Sequence, residues 1–430
     1  MRIEHKATSF KGTISLPGDK SISHRSLLHS FMSESDSLVG NLPFSKDVDS
    51  TAEALWDLGA PVVGNSQHEY WVMSLGWQER RSKNLVNCHN SATTMRLLMG
   101  ILAGCESESI LTGDESLLKR PMERVAEPLR MMGAEISTNN GYPPVVIKGR
   151  TPLKPIRYKL PIPSAQLKSS LIYAAMLANG DSVIIEPVLS RDHTEIALET
   201  LCPGNYRRET SKGVIRHFIE GEMYFPFFKI NIPGDPSSAA FLAALALLTP
   251  DSEITFKGIL LNPRRIRYLE ILKVMGGDIE ITESGKELGE RVGDVTVRSS
   301  ELKNIEIQTE DIPLIIDEIP ILTVIATKSQ GEFIIHGAEE LRVKESDRIA
   351  SMVLNLRLLG CEVEEYQDGL RLKGKSKLSA APINHKGDHR ILMSLIVLSM
   401  VHNLDLEFDD LSALPISFPE FLDFINLLSK

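Results

Sequence analysis

The sequence is short of cysteine, of long apolar runs and of basic residues, and each shortage excludes a class of protein. Its 430 residues include four cysteines, and no two of them form a CxxC pair or a zinc-ligand spacing. We therefore expect reduced thiols and no zinc site. The apolar stretch SLIVLSMV at 394–401 is far shorter than the roughly 20 residues of a membrane span. Because residues 1–12 also lack the apolar core of a signal peptide, we expect a cytoplasmic protein.

Acidic residues outnumber basic residues by 57 to 47, which gives a formal net charge of −10. Neutralising a phosphate backbone needs a basic field, so we expect no nucleic-acid partner. An anionic ligand would have to be held by a local group of Lys and Arg side chains. The hydrophobic fraction of 42% and the charged fraction of 24% are typical of a soluble globular protein. At about 150 residues per domain, the length predicts two or three domains.

An amphipathic helix, a glycine and a short β-like run recur along the chain and indicate a repeated αβ unit. Glycine suits the residue after a helix because it adopts a left-handed backbone at little steric cost. Four such glycines are 74, 143 and 84 residues apart, and the middle gap is close to two periods. With one further glycine inside that gap and a last helical run at 419–430, the pattern predicts six units. The five glycines are Gly59, Gly133, Gly204, Gly276 and Gly360.

Two similar motifs divide the chain into halves. LPGDKSIS begins at Leu16 and IPGDPSSA begins at Ile232, an offset of 216 in a chain of 430 residues. Each motif precedes an apolar helical run. The repetition predicts two domains of three units each, with the chain crossing between them near residues 18 and 234.

Polar clusters stand before several predicted helices, where free backbone N–H groups and the helix dipole favour anions. The motif PGDKSISHR could surround a phosphate with Lys20, Ser21 and Arg25. It is not a P-loop, because GxxxxGK is absent. NCHNSATTMR at 87–96 and Arg120 before a proline have the same placement. From the pattern alone, each cluster is either an anion site or a capped helix start with surface charges.

The segment ELRVKESDRIA places Lys344, Glu345 and Arg348 at a helix start, with Ser346 or Asp347 as the cap. A carboxylate between two cations is either an acid–base group or a solvated ion-pair face. The pattern leaves both interpretations open.

Three further candidates lie in the motifs IIDEIP and GDHRILM. Asp317 would be costly to bury in an apolar run unless it had a partner or a chemical role. His389 is either a histidine at a helix start or a ligand-binding group, and Arg390 follows it.

Taken in chain order, these motifs resemble those of the EPSP synthases, the 3-phosphoshikimate 1-carboxyvinyltransferases of the shikimate pathway. The resemblance runs from about residue 6 to residue 428 and includes LPGDKSISHR, NSATTMR, KRPM, SAQLKS, SRDHTE, IPGDPSSAA, DEIP, LRVKESDR and GDHR. It implies a two-domain inside-out α/β barrel, each domain having three βαβαββ units related by pseudo-threefold symmetry. The domains implied are 1–18 with 235–430, and 19–234, joined by a two-strand crossover.

The resemblance also implies a reaction. In this family the enolpyruvyl group of phosphoenolpyruvate passes to the 5-hydroxyl of shikimate 3-phosphate, and phosphate is released by addition followed by elimination. No metal and no organic cofactor is implied. The implied partners are the two small-molecule substrates, with no membrane and no nucleic acid, and we expect a monomer.

The family's functional residues carry over to matching positions of this sequence. Asp317 matches the carboxylate that accepts the hydroxyl proton, Glu345 matches the acid–base group at the vinyl carbon, and Lys20 is the third catalytic position. The positions that match the shikimate 3-phosphate site are Lys20, Ser21, Arg25, Ser164, Ala165, Gln166, Arg191, Asp317 and Lys344. The positions that match the phosphoenolpyruvate site are Lys20, Ala92, Arg120, Gln166, Arg348 and Arg390. Further candidates are Asn90, Thr93, Arg96 and His389.

Four positions depart from the family's usual pattern. His89 stands where a glycine is usual and could demand an unusual backbone or narrow the site. Ala92 replaces a glycine, as in the glyphosate-tolerant subgroup, which we expect this chain to resemble. Glu123 replaces the glycine after Arg-Pro-Met, where a carboxylate can complement a helix dipole. Ile416 aligns with a lysine of many members, which the tolerant subgroup also lacks.

Two other functions compete with this interpretation. The UDP-N-acetylglucosamine enolpyruvyl transferases share the implied fold but use a reactive cysteine, and the corresponding loop LTGDESLLKRPM has none. A relative that binds the ligands without turnover is the second alternative. Intact Lys20, Asp317 and Glu345 argue against it, whereas His89 and Glu123 are the departures that would favour it.

Overall fold

The computed structural model describes residues 7–65, 69–74, 85–408 and 410–430, in which helices and strands alternate. The helices are α1 (Lys20–Phe31), α2 (Lys46–Asp57), α3 (Ala92–Ala103), α4 (Glu123–Met131), α5 (Ala165–Met176), α6 (His193–Leu201), α7 (Pro236–Leu248), α8 (Arg267–Val274), α9 (Ile312–Ile315), α10 (Ile319–Lys328), α11 (Arg348–Leu358), α12 (His389–Val401) and α13 (Phe421–Leu428). None of these helices is long and apolar enough to cross a membrane.

The strands of the same residues are short. They are β1 (Lys11–Ser15), β2 (Ser37–Gly40), β3 (Val62–Gly64), β4 (Glu69–Val72), β5 (Leu85–Asn87), β6 (Glu108–Thr112), β7 (Glu135–Asn139), β8 (Tyr142–Lys148), β9 (Arg157–Lys159), β10 (Ser182–Glu186), β11 (Tyr206–Ser211), β12 (Val214–Ile219), β13 (Lys229–Asn231), β14 (Glu253–Leu260), β15 (Asp278–Glu287), β16 (Glu290–Arg298), β17 (Glu332–Ile335), β18 (Val363–Tyr366) and β19 (Gly369–Lys373).

The described chain divides into two compact units. We call Gly18–Ile232 together with Lys286–Glu290 the N-terminal unit. The C-terminal unit consists of residues 7–17, Pro233–Gly285 and Arg291–Lys430. Residues 1–6 of the first domain implied by the resemblance lie outside the described residues.

The N-terminal unit contains three four-stranded sheets with one topology. Their strand orders are β13-β2-β4-β3, β5-β6-β8-β7 and β9-β10-β12-β11. In each sheet the first two strands pair in parallel, and the last two form an antiparallel hairpin. A parallel pair needs a crossover connection, and a helix supplies it in the second and third sheets. Each of these two sheets is a βαβαββ unit in chain order. In the first sheet, the edge strand that pairs in parallel with β2 is β13, which comes from the C-terminal end of this unit rather than from the residues before α1.

Three helices form the interior of the N-terminal unit, with the sheets outside them. From Ile22, Leu167 and Thr94 onward, α1, α5 and α3 are buried along their whole length. Such helices carry apolar or small residues on every side, unlike the amphipathic α2 and α4. Their N-terminal turns are therefore the parts that retain access to ligands.

The C-terminal unit repeats this plan less completely. It has one sheet of order β1-β14-β16-β15 and a second of order β17-β19-β18. Parallel bridges join Lys303 to Gln330 and Glu306 to Ile334, so residues 303–306 take the first position of the second unit. The helices α7, α10 and α12 are buried at its centre. The predicted α/β fold with βαβαββ units is confirmed in these two sheets and in the three above.

The sixth predicted unit differs from the other five. After β19, the described residues contain α12, α13 and a 3-10 turn at Leu414–Ile416, but no strand. The segment GKSKLSAAPINHKGD at 374–388 contains a proline and glycines and lacks the alternation of a strand. Ile416 packs partly buried against the core of this unit.

The left-handed glycines after the helices are confirmed at four of the five predicted positions. The φ angles of Gly59, Gly133, Gly276 and Gly360 are 89°, 104°, 105° and 91°. The prediction is wrong at Gly204, which is not in the left-handed region. Pro203 follows Cys202, whose backbone has already left the helix (φ −131°, ψ 52°), because a residue before proline is pushed out of the helical region.

Candidate active site

The start of α1 in the N-terminal unit is built by a buried aspartate. Asp19 accepts a hydrogen bond of 2.8 Å from the backbone N–H of Ile22 and so caps the helix. The next residue, Lys20, places its Nζ 2.7 Å from Oδ2 of Asp47, at the start of α2. The two side chains keep 20% and 11% of their surface exposed, so the ammonium is held in place without being sealed from a ligand.

Arg25 lies one turn further along α1 and is almost completely buried. Its Nε donates to Thr194 Oγ1 at 2.9 Å, and its other nitrogens donate to Ser169 Oγ at 3.0 Å and to the backbone oxygen of Ser21 at 3.1 Å. Burial lowers the pKa of this guanidinium from its ordinary value, and the nearby Arg191 lowers it further. Arg25 and Arg191, which are both predicted to belong to the shikimate 3-phosphate site, therefore lie close enough to repel each other electrostatically. A bound anion would relieve that repulsion.

Gln166, in the first turn of α5, is hydrogen-bonded to residues of α3, a contact that the sequence analysis did not predict. Its Oε1 accepts from Arg96 at 2.7 Å, and its Nε2 donates to Thr93 Oγ1 at 2.8 Å. The amide is therefore fixed between the starts of α3 and α5. Ser164 caps α5 by accepting from the N–H of Leu167, which leaves Ala165 in the first turn.

Arg120 is oriented at the start of α4 by hydrogen bonds to polar side chains. Its guanidinium donates to Asn90 Oδ1 at 2.9 Å and to Ser116 Oγ at 3.2 Å. Asn90 in turn donates to Asp114 at 2.7 Å. This series of hydrogen bonds fixes the orientation of Arg120 and links the loop at 88–91, which precedes α3, to the loop before Pro121.

The two unusual residues of this unit behave differently from each other. His89 has a φ of 48°, so the unusual backbone predicted for it is confirmed. Its ring nitrogen lies 2.7 Å from Glu53, and both side chains are exposed. Glu123 begins α4, where it complements the helix dipole, and it accepts hydrogen bonds from Arg130 and from Thr138. The hydrogen bond from Arg130 lowers the pKa of the Glu123 carboxyl.

The C-terminal unit gathers its candidates around one guanidinium. Arg348, at the first position of α11, donates 2.8 and 2.7 Å hydrogen bonds to Asp388 and Glu345. A third hydrogen bond of 3.3 Å reaches Oδ1 of Asp317. Burial by itself lowers the pKa of Arg348, but these three carboxylates outweigh it and raise that pKa above its ordinary value. The residues that the sequence offered as an ion-pair face form a largely buried cluster instead.

Asp317 also contacts a second arginine. A terminal nitrogen of Arg390 donates a hydrogen bond of 2.9 Å to the backbone oxygen of Asp317. The Nε of Arg390 lies 3.8 Å from Oδ1 of the Asp317 carboxylate. Asp317 retains 17% of its side-chain surface. Partial removal from water lowers the pKa of the nearby Lys344, although the carboxylates of Asp317 and Glu345 oppose that shift. A carboxylate, a lysine and two arginines therefore meet where a hydroxyl proton could be taken.

Two aspartates cap the helices that carry these groups. Asp347, not Ser346, caps α11 by accepting from the N–H of Ala350 at 2.9 Å. Asp388 caps α12 by accepting from the N–H of Arg390, also at 2.9 Å. His389 is buried at the first position of α12, directly after the cap.

The sequence analysis missed several residues that hold the candidates in place: Asp47, Asp114, Ser169, Thr194 and Asp388. The type of residue gave a signal only for Asp388, because an aspartate directly before an apolar run is a typical helix cap. The others lie far from their partners in sequence; Arg25 and Thr194 are 169 positions apart.

A second buried cluster lies outside the predicted site. Glu186, Glu195 and His217 bring their ligating atoms within 4.8 Å of one another. The Nζ of Lys168 lies 2.6 Å from an oxygen of each glutamate, and the side chains of all four residues are 0% exposed. The ammonium therefore already supplies the positive charge that this group of carboxylates requires.

Comparison with known proteins gives consistent matches over the whole length. A profile of the family described as EPSP synthase (3-phosphoshikimate 1-carboxyvinyltransferase) matches residues 5–425. The chain is 41% identical to a 3-phosphoshikimate 1-carboxyvinyltransferase of Thermodesulfovibrio yellowstonii, with 100% of both chains covered. It is 40% identical to the protein of that name from Legionella pneumophila, covering 97% of this chain and 95% of the relative. A solved EPSP synthase of Acinetobacter baumannii superimposes with a TM-score of 0.84 at 34% identity, covering 100% of this chain and 98% of that one.

Proposed function

The chain belongs to the EPSP synthase family, and we infer that it transfers the enolpyruvyl group of phosphoenolpyruvate to the 5-hydroxyl of shikimate 3-phosphate. Phosphate is the second product. The reaction belongs to the shikimate pathway, which leads to chorismate and the aromatic amino acids. The observation that carries the assignment in this chain is the cluster in which Arg348 holds both Asp317 and Glu345, because it supplies two positioned carboxylates and fixed positive charge.

We propose that the N-terminal unit supplies cations for the phosphate of shikimate 3-phosphate and for phosphoenolpyruvate. The shikimate 3-phosphate group consists of Lys20, Ser21, Arg25, Ser164, Ala165, Gln166 and Arg191. Arg25 is fixed by Thr194 and Ser169 before any ligand arrives, so little side-chain entropy is lost on binding. Charge-assisted contacts from Arg and Lys to phosphate oxygens are among the stronger hydrogen bonds that a protein makes.

Phosphoenolpyruvate carries a carboxylate and a phosphate, and we propose that arginines and Lys20 bind both. Arg120 acts from the N-terminal unit, with Gln166 beside Arg96 and Thr93. Arg348 and Arg390 act from the C-terminal unit. Each of these arginines is at most 7% exposed and is oriented by carboxylate or amide partners, which is the preorganisation that electrostatic stabilisation requires.

The proton transfers are assigned to the C-terminal unit. Asp317 takes the proton of the 5-hydroxyl as that oxygen attacks the vinyl carbon. Glu345 delivers a proton to the methylene carbon during addition and removes one during elimination. Lys344, with its lowered pKa, lies near Asp317 and can interact with the hydroxyl oxygen as charge develops on it. No step of this scheme uses a metal or an organic cofactor.

We further propose that the two units correspond to the two enolpyruvyl-transferase domains, 1–18 with 235–430, and 19–234. The active form proposed is a cytoplasmic monomer.

Release of inorganic phosphate tests the assignment. We expect release only when both phosphoenolpyruvate and shikimate 3-phosphate are present. Release with UDP-N-acetylglucosamine as acceptor would assign the chain to the related transferase, although the loop that would carry its reactive cysteine has none and Cys105 bonds to a backbone oxygen of α3. Binding of both ligands without any phosphate release would make the protein a binding-only relative.

A further inference from the structure

A buried line of polar side chains connects three helices of the N-terminal unit. His24 of α1 lies with its Nδ1 2.6 Å from Thr51 Oγ1 of α2. Thr51 Oγ1 lies 2.6 Å from Thr94 Oγ1 of α3, which donates to Ser91 Oγ at 2.8 Å. None of these four side chains belongs to the ligand groups described above. Each is at most 2% exposed, so no water competes for their hydrogen bonds.

The chemistry of hydroxyl groups fixes the direction of this line. A threonine hydroxyl has a single proton, and Thr94 gives its proton to Ser91. Thr94 must therefore accept from Thr51, and Thr51 must accept from His24. The Nδ1 of His24 thus carries a hydrogen.

The surroundings of the second ring nitrogen, Nε2, are consistent with a proton on Nδ1. Nε2 of His24 is buried and has no hydrogen-bond partner. With the proton on Nδ1, the ring's single N–H is hydrogen-bonded and the unpartnered atom is the acceptor Nε2, whereas a proton on Nε2 would leave a buried N–H without a partner. Burial, together with Lys20 and Arg25, lowers the pKa of His24 to about 3. The ring is therefore neutral at physiological pH, and only one of its two nitrogens carries a proton.

The end of the line is the residue that begins α3. Ser91 caps this helix by accepting from the N–H of Thr94, and its own N–H donates to Cys88 at 2.8 Å. Ser91 stands between Asn90 and Ala92. Whatever fixes Ser91 therefore fixes the loop that orients Arg120 through Asn90.

We propose that His24, as its Nδ1–H tautomer, is a positioning residue. Through Thr51, Thr94 and Ser91, it holds the loop at 88–91 and the first turn of α3, which together we call the phosphoenolpyruvate-binding loop. The proposal rests on the proposed function, because the loop's ligand is taken from it. His24 touches no substrate in this scheme. It sets where Asn90, Ala92 and Thr93 stand relative to α1, which carries Lys20 and Arg25.

The tautomer is tested by nitrogen NMR on the full-length protein labelled with 15N-histidine. We expect His24 to give one protonated nitrogen and one unprotonated nitrogen, with the proton on Nδ1, unchanged across neutral pH. Its signals are identified by their loss in His24→Asn. A proton on Nε2 overturns the proposal. This measurement needs no substrate, so it is independent of the proposed function.

Steady-state kinetics test the positioning role. In His24→Leu and Thr51→Val, we expect KM for phosphoenolpyruvate to rise about tenfold, the effect of one lost buried hydrogen bond. KM for shikimate 3-phosphate and kcat should change less than about threefold, because the partners of Arg25 and the proton-transfer groups are untouched. His24→Asn and Thr51→Ser keep a donor near the same place and should restore KM to near the unmodified value.

The matched control is His29, on the same helix. His29 is also buried, has a pKa lowered to about 3 by burial, and bonds to Tyr173 rather than to the line. His29→Leu should leave KM for phosphoenolpyruvate unchanged at a comparable loss of thermal stability. An equal rise of KM in His29→Leu overturns the proposal, as does an unchanged KM in Thr51→Val. If the unmodified protein releases no phosphate, the proposed function fails and the role assigned to the loop fails with it, whereas the tautomer result stands.

Discussion

The Nε of Arg348 donates a 2.8 Å hydrogen bond to Oδ2 of Asp388, and their side chains are only 2% and 0% exposed. The same carboxylate caps α12 and accepts from Ser346 at 3.1 Å. One buried aspartate thus joins the start of α11 to the start of α12. The carboxylates of Asp317 and Glu345 then approach an arginine whose position is already fixed.

Replacing Asp388 should therefore affect both stability and turnover. We expect Asp388→Ala to lower the free energy of unfolding by about 3–5 kcal/mol, since it leaves Arg348 buried with less compensation. Asp388→Asn keeps a helix cap but removes the charge, so it should recover about 1 kcal/mol of that loss. Urea denaturation measures both, and kcat should fall in both variants. An Asp388→Ala variant with the same free energy of unfolding as the unmodified protein would contradict the role assigned to the Arg348–Asp388 ion pair.

Removal of the Asp317 carboxylate should stop turnover but spare binding. In Asp317→Ala, we expect kcat to fall by ~10²–10⁴, the usual contribution of a general base. An ionised carboxylate contributes little to holding anions, so calorimetric affinity for shikimate 3-phosphate should change only a few-fold. Glu310→Ala, which removes an exposed acid from the same segment, is the control and should retain full activity. Near-normal turnover of Asp317→Ala would exclude Asp317 from the mechanism.

Glu123 should prove structural. Because its carboxylate bonds to Arg130 and Thr138, we expect Glu123→Gly to keep kcat/KM within about threefold. Its side chain is 47% exposed, so the pair with Arg130 should contribute under about 1 kcal/mol.

The pH dependence of Glu123 has a definite sign. Its pKa is lowered in the folded protein, so its stabilisation is present above the ordinary pKa of a glutamate and is lost as the pH falls through the lowered value. The stability deficit of Glu123→Gln should therefore shrink in acid. Arg130→Ala should be at least as destabilising at neutral pH, because Arg130 also donates to the backbone oxygen of Ile136 at 2.7 Å. A tenfold loss of turnover in Glu123→Gly would instead connect this acid with Arg120.

Lys168 should be the residue of the buried cluster that is hardest to replace. Lys168→Met leaves Glu186 and Glu195 buried without their cation, and we expect a loss of at least about 3 kcal/mol in unfolding free energy. Lys168→Arg should be less severe because it keeps the charge.

The same cluster predicts acid sensitivity. Burial by itself raises the pKa of Glu186, but the hydrogen bond from His217 and the Lys168 ammonium outweigh it and leave that pKa well below its ordinary value. Its contribution is complete above the ordinary pKa of a glutamate and declines as the pH falls. Glu186→Gln should therefore flatten the loss of stability between neutral pH and pH ~3. An unchanged slope in urea titrations at several pH values would contradict this assignment.

Ala92 should weaken inhibition by glyphosate, the inhibitor that occupies the phosphoenolpyruvate site in this family. Ala92 is the first residue of α3, and the family resemblance implies a glycine at this position in most members. A methyl-sized clash discriminates by ~10–200-fold, and phosphoenolpyruvate is the shorter ligand. We expect weak inhibition of the unmodified protein and a tighter inhibition constant, relative to KM for phosphoenolpyruvate, in Ala92→Gly. His89→Gly is the control for narrowing by the neighbouring residue. Tight inhibition of the unmodified protein would end this interpretation.

Local sequence determined much of the fold. The glycines at 59, 133, 276 and 360 end helices because of their own backbone freedom. An Asp or Ser side chain caps α1, α3, α5, α11 and α12 by accepting from an N–H two or three residues away. Such interactions depend on neighbours in the chain, so they can be read without knowledge of the tertiary structure. The motifs also predicted charged candidates such as Lys20, Arg25 and Arg348, since those residue types at helix starts suit anionic ligands.

The tertiary structure decided which of these residues meet. Lys20 and Asp47 are 27 positions apart, Arg348 and Asp388 are 40 apart, and Arg96 and Gln166 are 70 apart. No periodicity relates such pairs, because their distance in space depends on how the central helices pack inside the sheets. The packing also decided the state of each group: burial lowers the pKa of His24, whereas three carboxylates raise that of Arg348. Proximity and exclusion of water are properties of the folded chain, and a residue's type and spacing do not contain them.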